Sequence, residues 1–436
     1  MHKIGIRHED KYKMERRAPL VPEHVKELVE KGIEIHVERS PKRVFKDEEY
    51  KAAGAILVDK LTEPDLILGV KEMPLDYFEY RKTYIFFSHT IKGQSYNMPL
   101  LKRMMEKEIN LMDYEKVTDE QGRRLIFFGR FAGLAGMINT LWSAGQRYRE
   151  LGIETPFVSI RQTHTYNSLE EAKEAVSAVA EKIKQKGLPE QLLPFTVGIT
   201  GYGNVSKGAQ EILDILPVKE ISPAELLELE KRNDISDKII YKVVFKEEHL
   251  SIPLKEGKTF ELQEYYQHPE RFKGVFEQYL PHLSLLVNSM YWDDRYPRIV
   301  TKKYVAEMFK KGLPKLTVIG DITCDPDGSV EITHKGTEIE DPVFVYNPET
   351  EKPSMGFKGK GILVMAVDIL PSELPRESSR AFSDALVKFV PDIAAADYDL
   401  DFESLNVPAP FKRAMILHRG KLTPDFEYLK EYLKDY

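Results

Sequence analysis

Leu193-Pro-Phe-Thr-Val-Gly-Ile-Thr-Gly201-Tyr-Gly203-Asn-Val-Ser-Lys-Gly208-Ala-Gln210 passes from a short apolar run through a glycine turn into the first residues of a helix. Glycine at 201 permits a tight turn, and glycine at 203 lets the backbone approach a phosphate. The amides of Asn204 and Val205 at the helix start then offer unpaired donors at a positive dipole end. A dinucleotide cofactor is the expected ligand. The third glycine of the G-x-G-x-x-G pattern is replaced by Ser206, which is small enough to pack against a strand. On this motif alone, a glycine turn in an ordinary βαβ unit stays open as the alternative.

The same alternation of strand and helix extends on both sides. Upstream, Ile4 to Ile6, Ile33 to Val37, Ala55 to Val58, Leu66 to Val70, Tyr84 to Phe87 and Ile109 to Met112 are short apolar runs separated by amphipathic stretches. Phe131 to Leu151 and Ser168 to Lys186 have helical spacing. Downstream, Val218 to Ile221 is a short strand, Ser222-Pro-Ala-Glu225 has the form of a capping box, and Ser284 to Val287 and Leu316 to Ile319 are further strands. A helix is expected around Ala381 to Val390. The pattern predicts an α/β protein with mainly parallel sheets covered by helices on both faces. Because the glycine turn lies mid-chain, the cofactor domain is expected as an insertion. We place it at 134–334, within a discontinuous catalytic or substrate domain of 1–133 and 335–436.

Length and composition agree with this. At about 100–200 residues per domain, 436 residues make two or three domains. With 63 basic and 70 acidic side chains and a formal charge of -7, nucleic acid is not expected as the main partner. The N-terminus has no apolar signal region, and no stretch approaches the roughly 18 apolar residues of a membrane span. One cysteine, Cys324, excludes an internal disulfide and a thiolate metal cluster, which fits a reducing compartment; a cytoplasmic location is expected and no bound metal.

Three charged patterns precede the cofactor turn: Glu15-Arg16-Arg17-Ala-Pro-Leu-Val-Pro22, Leu68-Gly-Val-Lys71-Glu72-Met-Pro74 and Phe86-Phe-Ser-His89-Thr-Ile-Lys92. Lys71 and His89 each follow a strand, where ligands gather in open α/β folds. Arg17 could clamp a carboxylate bidentately or form an ion pair with Glu15.

Taken together, these patterns resemble the alanine dehydrogenase and saccharopine dehydrogenase superfamily. A narrower resemblance is carried by Arg81-Lys-Thr-Tyr-Ile-Phe-Phe-Ser-His-Thr-Ile-Lys92, Asp113-Tyr-Glu115-Lys, Phe131-Ala-Gly-Leu-Ala-Gly-Met-Ile-Asn139, Gly203-Asn-Val-Ser-Lys-Gly-Ala-Gln210 and Asp321-Ile-Thr-Cys-Asp325. These runs are similar to the lysine-ketoglutarate reductase half of α-aminoadipic semialdehyde synthase, from about residue 4 to beyond 390. The resemblance implies two Rossmann-like doubly wound domains with a cleft between them. It also implies an oxidoreductase that joins lysine and 2-oxoglutarate with NADPH to give saccharopine, or runs in reverse. Two alternatives stay open: another amino-acid dehydrogenase of the alanine dehydrogenase type, and a nucleotide-binding protein without catalysis.

The implied reaction needs a neutral amine to attack a ketone, loss of water to an imine, and hydride delivery to the imine carbon. By motif, Lys71 and His89 would move the protons, with Glu115 beside them. Keeping a lysine neutral near pH 7 requires lowering its pKa by about three pH units, roughly 4 kcal/mol of environment. Glu72 and Glu115, if close, would favour the ammonium form of Lys71, so His89 is the expected base. The substrates' carboxylates call for cations, with Arg17 first and Lys92 and Arg130 after it. Asp321 matches the acidic position after a strand that the resemblance places near the nicotinamide, with a helix or turn cap as the equal alternative.

For the cofactor, Glu220 has the spacing of a ribose-binding acid, whereas Lys219, Ser222 and Lys231 could accept a phosphate. NADP is expected from the resemblance, with NAD as the alternative. Because the chain stops at Tyr436, a separate saccharopine-oxidising enzyme is expected to take the product, and pairing into a homodimer is left open.

Overall fold

In the computed structural model, which describes residues 2–434, the chain divides into two units. One comprises the chain up to Phe128 together with Pro375 onward, and the other is Gly129–Leu374.

The first unit is built on six parallel strands: β1 (Ile4–Ile6), β2 (Ile35–Glu38), β3 (Ile56–Val58), β4 (Leu66–Leu68), β5 (Thr83–Phe86) and β6 (Asn110–Asp113). Their spatial order is β3-β2-β1-β4-β5-β6, so the chain reverses direction across the sheet between β1 and β4. This is the strand order of dinucleotide-binding folds, in which ligands lie beyond the carboxyl ends of the strands at the reversal. Met415–His418 pairs antiparallel with β6, and Lys421–Leu422 with it in turn, adding the last edge.

Alternation along each strand supplies both faces with apolar side chains. Leu66, Leu68 and Ile85 join one buried cluster, while Ile67, Tyr84 and Phe86 join the other. Helix α1 (Pro22–Glu30) has proline in its first turn and buries Val25 and Leu28.

The second unit opens with the long helix α4 (Gly129–Glu150), preceded in the chain by the short α2 (Asp47–Ala52) and by α3 (Met98–Glu106) of the first unit. Helix α5 (Leu169–Lys186) follows, its start capped by the Ser168 side chain. The sheet is then formed by β7 (Thr196–Thr200), β8 (Val218–Glu220), β9 (Ile240–Phe245), β12 (Leu285–Asn288), β13 (Val318–Asp321) and β16 (Ile362–Met365), all parallel. The antiparallel β14 (Val343–Asn347) and β15 (Lys352–Met355) extend it, and β10 (Ser251–Pro253) with β11 (Phe272–Gly274) forms a separate hairpin.

Two expectations are corrected here. The boundary expected at 335 falls at 375, because β14, β15 and β16 hydrogen-bond into the second sheet. Likewise residues 129–133 belong to α4. The order β15-β14-β16-β13-β12-β7-β9-β8 also places β9, a strand not anticipated, between β7 and β8. A strand beside β7 must be apolar on both faces. Ile240-Tyr-Lys-Val-Val-Phe245 meets that demand, with five of its six residues buried. Val218-Lys-Glu220 is half-buried at its first residue and exposed at the other two, so it takes the edge.

Candidate active site

In the first unit, charged side chains collect around the ends of β1, β4, β5 and β6. Two of these ends are tied by buried carboxylates from a neighbouring strand. Glu9, three residues beyond β1, accepts the Val70 N–H on Oε1 at 2.7 Å and the Lys71 N–H on Oε2 at 2.9 Å. Asp113, at the end of β6, accepts the Ser88 N–H at 2.9 Å and the Ser88 hydroxyl at 2.5 Å on one oxygen, and the Glu115 N–H at 2.8 Å on the other. Burial pushes the Asp113 carboxyl up, against the Ser88 hydrogen bond. His89, next along, has a left-handed backbone with φ of 51°, uncommon for a residue with a Cβ, and its carbonyl is held by Asn97 Nδ2 at 2.9 Å.

Glu72 is the hub of the cluster. Its Oε1 accepts from His89 Nδ1 at 2.7 Å and from Lys11 Nζ at 2.5 Å, while its buried Oε2 has no hydrogen-bond partner among the described residues. Burial alone would raise this carboxyl, but the His89 hydrogen bond and charge, followed by those of Lys11, win and hold it down at about 2. An ionised carboxylate only accepts, so His89 Nδ1 carries the proton and Nε2 is the nitrogen left to exchange one with a ligand. The His89 ring stacks on Phe87 at 6.4 Å and 17°.

The sequence left open whether Glu72 and Glu115 lie close to Lys71. Glu72 turns to His89 and Lys11, and Glu115 is fixed by its backbone to Asp113. Glu15 is an acid coupled by charge to Lys71, and the Lys71 ammonium lies 5.7 Å from the Tyr12 ring centre.

The cation assignments change as well. Arg17 is buried and forked onto Glu15, Nε to Oε1 at 2.8 Å and Nη2 to Oε2 at 2.5 Å, with the guanidinium over Phe128 at 4.2 Å. Its bidentate edge is therefore filled. Burial works against ionised Glu15, but Arg17 brings its carboxyl below the ordinary value. Arg130 lies in the second unit, forked onto Glu211 at 2.9 and 2.7 Å. Lys92 is exposed, as is Arg124, whose guanidinium lies 6.0 Å from the Phe87 ring centre. Arg124 was missed because nothing in its local sequence links it to Phe87.

In the second unit the glycine turn has the geometry a phosphate needs. Gly201 has φ of 85°, and a Cβ on Gly203 would meet nothing within 4 Å. Helix α6 (Asn204–Leu213) starts directly after it, with Ser206 buried and its hydroxyl accepting from Gln210. Behind the turn α6 packs closely on α4: a Cβ on Gly133 would come within 1.9 Å of the Val205 carbonyl oxygen.

Two cofactor assignments are revised. Asp321 is fully buried and its carboxylate is occupied by Thr333 (2.6 Å), Thr323 (2.7 Å) and Asn288 (2.9 Å), so it braces the ends of β12 and β13. Ser222 caps the short helix α7 (Pro223–Glu228) in a reciprocal box with Glu225, at the end of the edge strand. Glu220 pairs with Lys242 at 2.9 Å. The strand beside the glycine turn is β9, with the Phe245 carbonyl accepting the Gly201 N–H at 2.8 Å. The residues that follow it are exposed Lys246 and then Glu247, whose carboxylate accepts from Tyr266 at 2.7 Å.

The alanine dehydrogenase/PNT N-terminal domain model matches residues 5–135 and the C-terminal domain model residues 262–425, together more than half of the chain. The chain belongs to the alanine dehydrogenase/PNT family. Within this family of oxidoreductases, the fold and the glycine turn indicate a nicotinamide nucleotide as cofactor.

The chain is 40% identical over 447 residues to an α-aminoadipic semialdehyde synthase of Arabidopsis thaliana, covering 99% of this chain and 41% of that protein. It is 29% identical to a saccharopine dehydrogenase [NAD(+), L-lysine-forming] of Emericella nidulans, over 88% of this chain and 90% of that one. The chain thus spans less than half the length of the synthases it matches. Among solved structures, an L-alanine dehydrogenase superposes with a TM-score of 0.63 at 17% identity, covering 99% of both chains. That likeness speaks for the fold. No helix among the described residues is long and apolar enough to cross a membrane.

Proposed function

We propose that this protein joins L-lysine and 2-oxoglutarate reductively to saccharopine, or releases them from it. The observation that carries the reading is the Glu72–His89 pair at the chain reversal beside Lys71, because that reaction begins and ends with proton transfer at nitrogen. The names of the relatives support the substrate class.

His89 Nε2 takes the proton from the attacking ammonium, and Glu72 stabilises the imidazolium that forms. Lys71, in its ammonium form beside Glu15, protonates the oxygen that leaves as water. Lys92 and Arg124 receive substrate carboxylate, because the forks of Arg17 and Arg130 are already filled. The Gly201–Gly203 turn and the amides of Asn204 and Val205 hold the pyrophosphate of the nucleotide, which supplies hydride when bound.

NADP is the proposed cofactor, with exposed Lys246 meeting the additional phosphate in place of Lys219 and Ser222. The single cysteine fits our expectation of a reducing, cytoplasmic setting.

Steady-state assays with NADPH or NADH test the reading. Oxidation with lysine plus 2-oxoglutarate is expected, and turnover only with pyruvate plus ammonia would replace it by an alanine dehydrogenase.

A further inference from the structure

Strand β4 ends at Leu68, whose carbonyl accepts the last ladder hydrogen bond from β1, through Arg7 N–H at 2.9 Å. On the other side β4 stays tied to β5 for two more residues, through Gly69 N–H to the Ile85 carbonyl and Phe87 N–H to the Val70 carbonyl, both at 3.0 Å. The N–H groups of Val70 and Lys71 have no strand partner left. The two oxygens of Glu9 take their place, one each, across a sequence separation of 61 and 62 residues. We propose that Glu9 is a positioning residue for Lys71: its ionised carboxylate continues the β1–β4 ladder past the strand ends and so sets the pose of the Lys71 amine. The proposal rests on the role of Lys71 given above.

Burial gives the contact its consequence. Glu9 is 3% exposed, so water does not replace a lost hydrogen bond there. Arg7 faces it from the end of β1 and Glu15 from the segment after it. Lys71 and Val70 face it from the end of β4, and Tyr114, whose buried hydroxyl has no hydrogen-bond partner among the described residues, faces it from beyond β6. Burial, with Glu15 adding to it, outweighs Arg7 and the two amides and pushes the Glu9 carboxyl up to about 7. Each oxygen receives one N–H, so a proton on either one removes negative charge and weakens that oxygen as an acceptor. The clamp therefore tightens as pH rises through neutrality and loosens below it.

Two measurements test this. In the wild-type protein, residue-resolved amide exchange corrected for intrinsic rate should show the protection of Val70 and Lys71 falling by about tenfold per pH unit below the Glu9 titration, as its carboxylate fraction does. Amides inside β5 should not follow. Glu9→Gln keeps the shape but aims an NH2 group at one of the two donors. It should lower kcat by about 100-fold, the cost of a small misplacement of a reacting group. The KM for the nucleotide should stay, and the change in kcat between pH 6 and 8 should flatten.

Protection of Val70 and Lys71 that is flat with pH overturns the clamp, whether or not Glu9→Gln folds. So does a folded Glu9→Gln with wild-type kcat and pH profile. If the wild type fails to turn over lysine with 2-oxoglutarate while the two amides still follow pH, the functional reading falls and the clamp stands.

Discussion

Glu72 Oε1 lies 2.7 Å from His89 Nδ1, and this contact joins the turn after β4 to the turn after β5. It fixes which imidazole nitrogen faces outward, because an ionised carboxylate can only accept. His89→Ala should lower kcat by about 10²–10⁴-fold, the usual worth of general acid–base catalysis. Glu72→Gln, which leaves the ring in place but weakens its orientation, should lose a smaller part of that. Nucleotide binding followed by fluorescence should be unchanged in both.

Glu72 also makes acid stability testable. Its carboxyl is held at about 2 against an ordinary value of 4.5, so the folded state gains when the group is ionised. That contribution is present above pH 4.5 and is lost as pH falls toward 2. Urea unfolding of the wild type and of Glu72→Gln should therefore differ most above pH 4.5 and converge as the pH is lowered. A constant difference across that window would assign the stabilisation to packing instead.

Arg17 is expected to matter for folding first. Replacing it by alanine strips buried Glu15 of its guanidinium, a loss of about 3–5 kcal/mol for a broken buried pair. Thermal unfolding should register this directly. A variant with wild-type stability but a KM for 2-oxoglutarate raised tenfold or more would instead return Arg17 to the role of a carboxylate clamp.

Lys246 decides cofactor choice in our reading. Lys246→Ala removes one charge-assisted hydrogen bond, worth about 1.5–3 kcal/mol, and should raise the KM for NADPH by at least tenfold while leaving that for NADH unchanged. Lys219→Ala, at the edge strand, should change neither. The reverse pattern would restore the spacing-based assignment.

How far the site could be read from the chain follows the range of each interaction. Lys71 and His89 were singled out because each stands directly after an apolar run, a local signal. The glycine turn was equally plain, since backbone freedom and helix-end amides are properties of adjacent residues. Glu220 and Ser222 were singled out by counting residues from the turn. The length and two-faced apolarity of Ile240–Phe245, visible in the sequence, already marked it as the better neighbour for β7. Glu9 gave no local signal, since the amides it holds are 61 and 62 residues away.

The sequence by itself determined the α/β alternation, the glycine turn and the chemical types available at the strand ends, all written in runs of a few neighbouring residues. Tertiary structure alone decided the strand order, the pairing of Arg17 with Glu15, and the carboxylates that hold Lys71 and Ser88. A buried ion or amide takes whichever partner the packed strands bring within about 3 Å, and that choice is made only when apolar faces close over them.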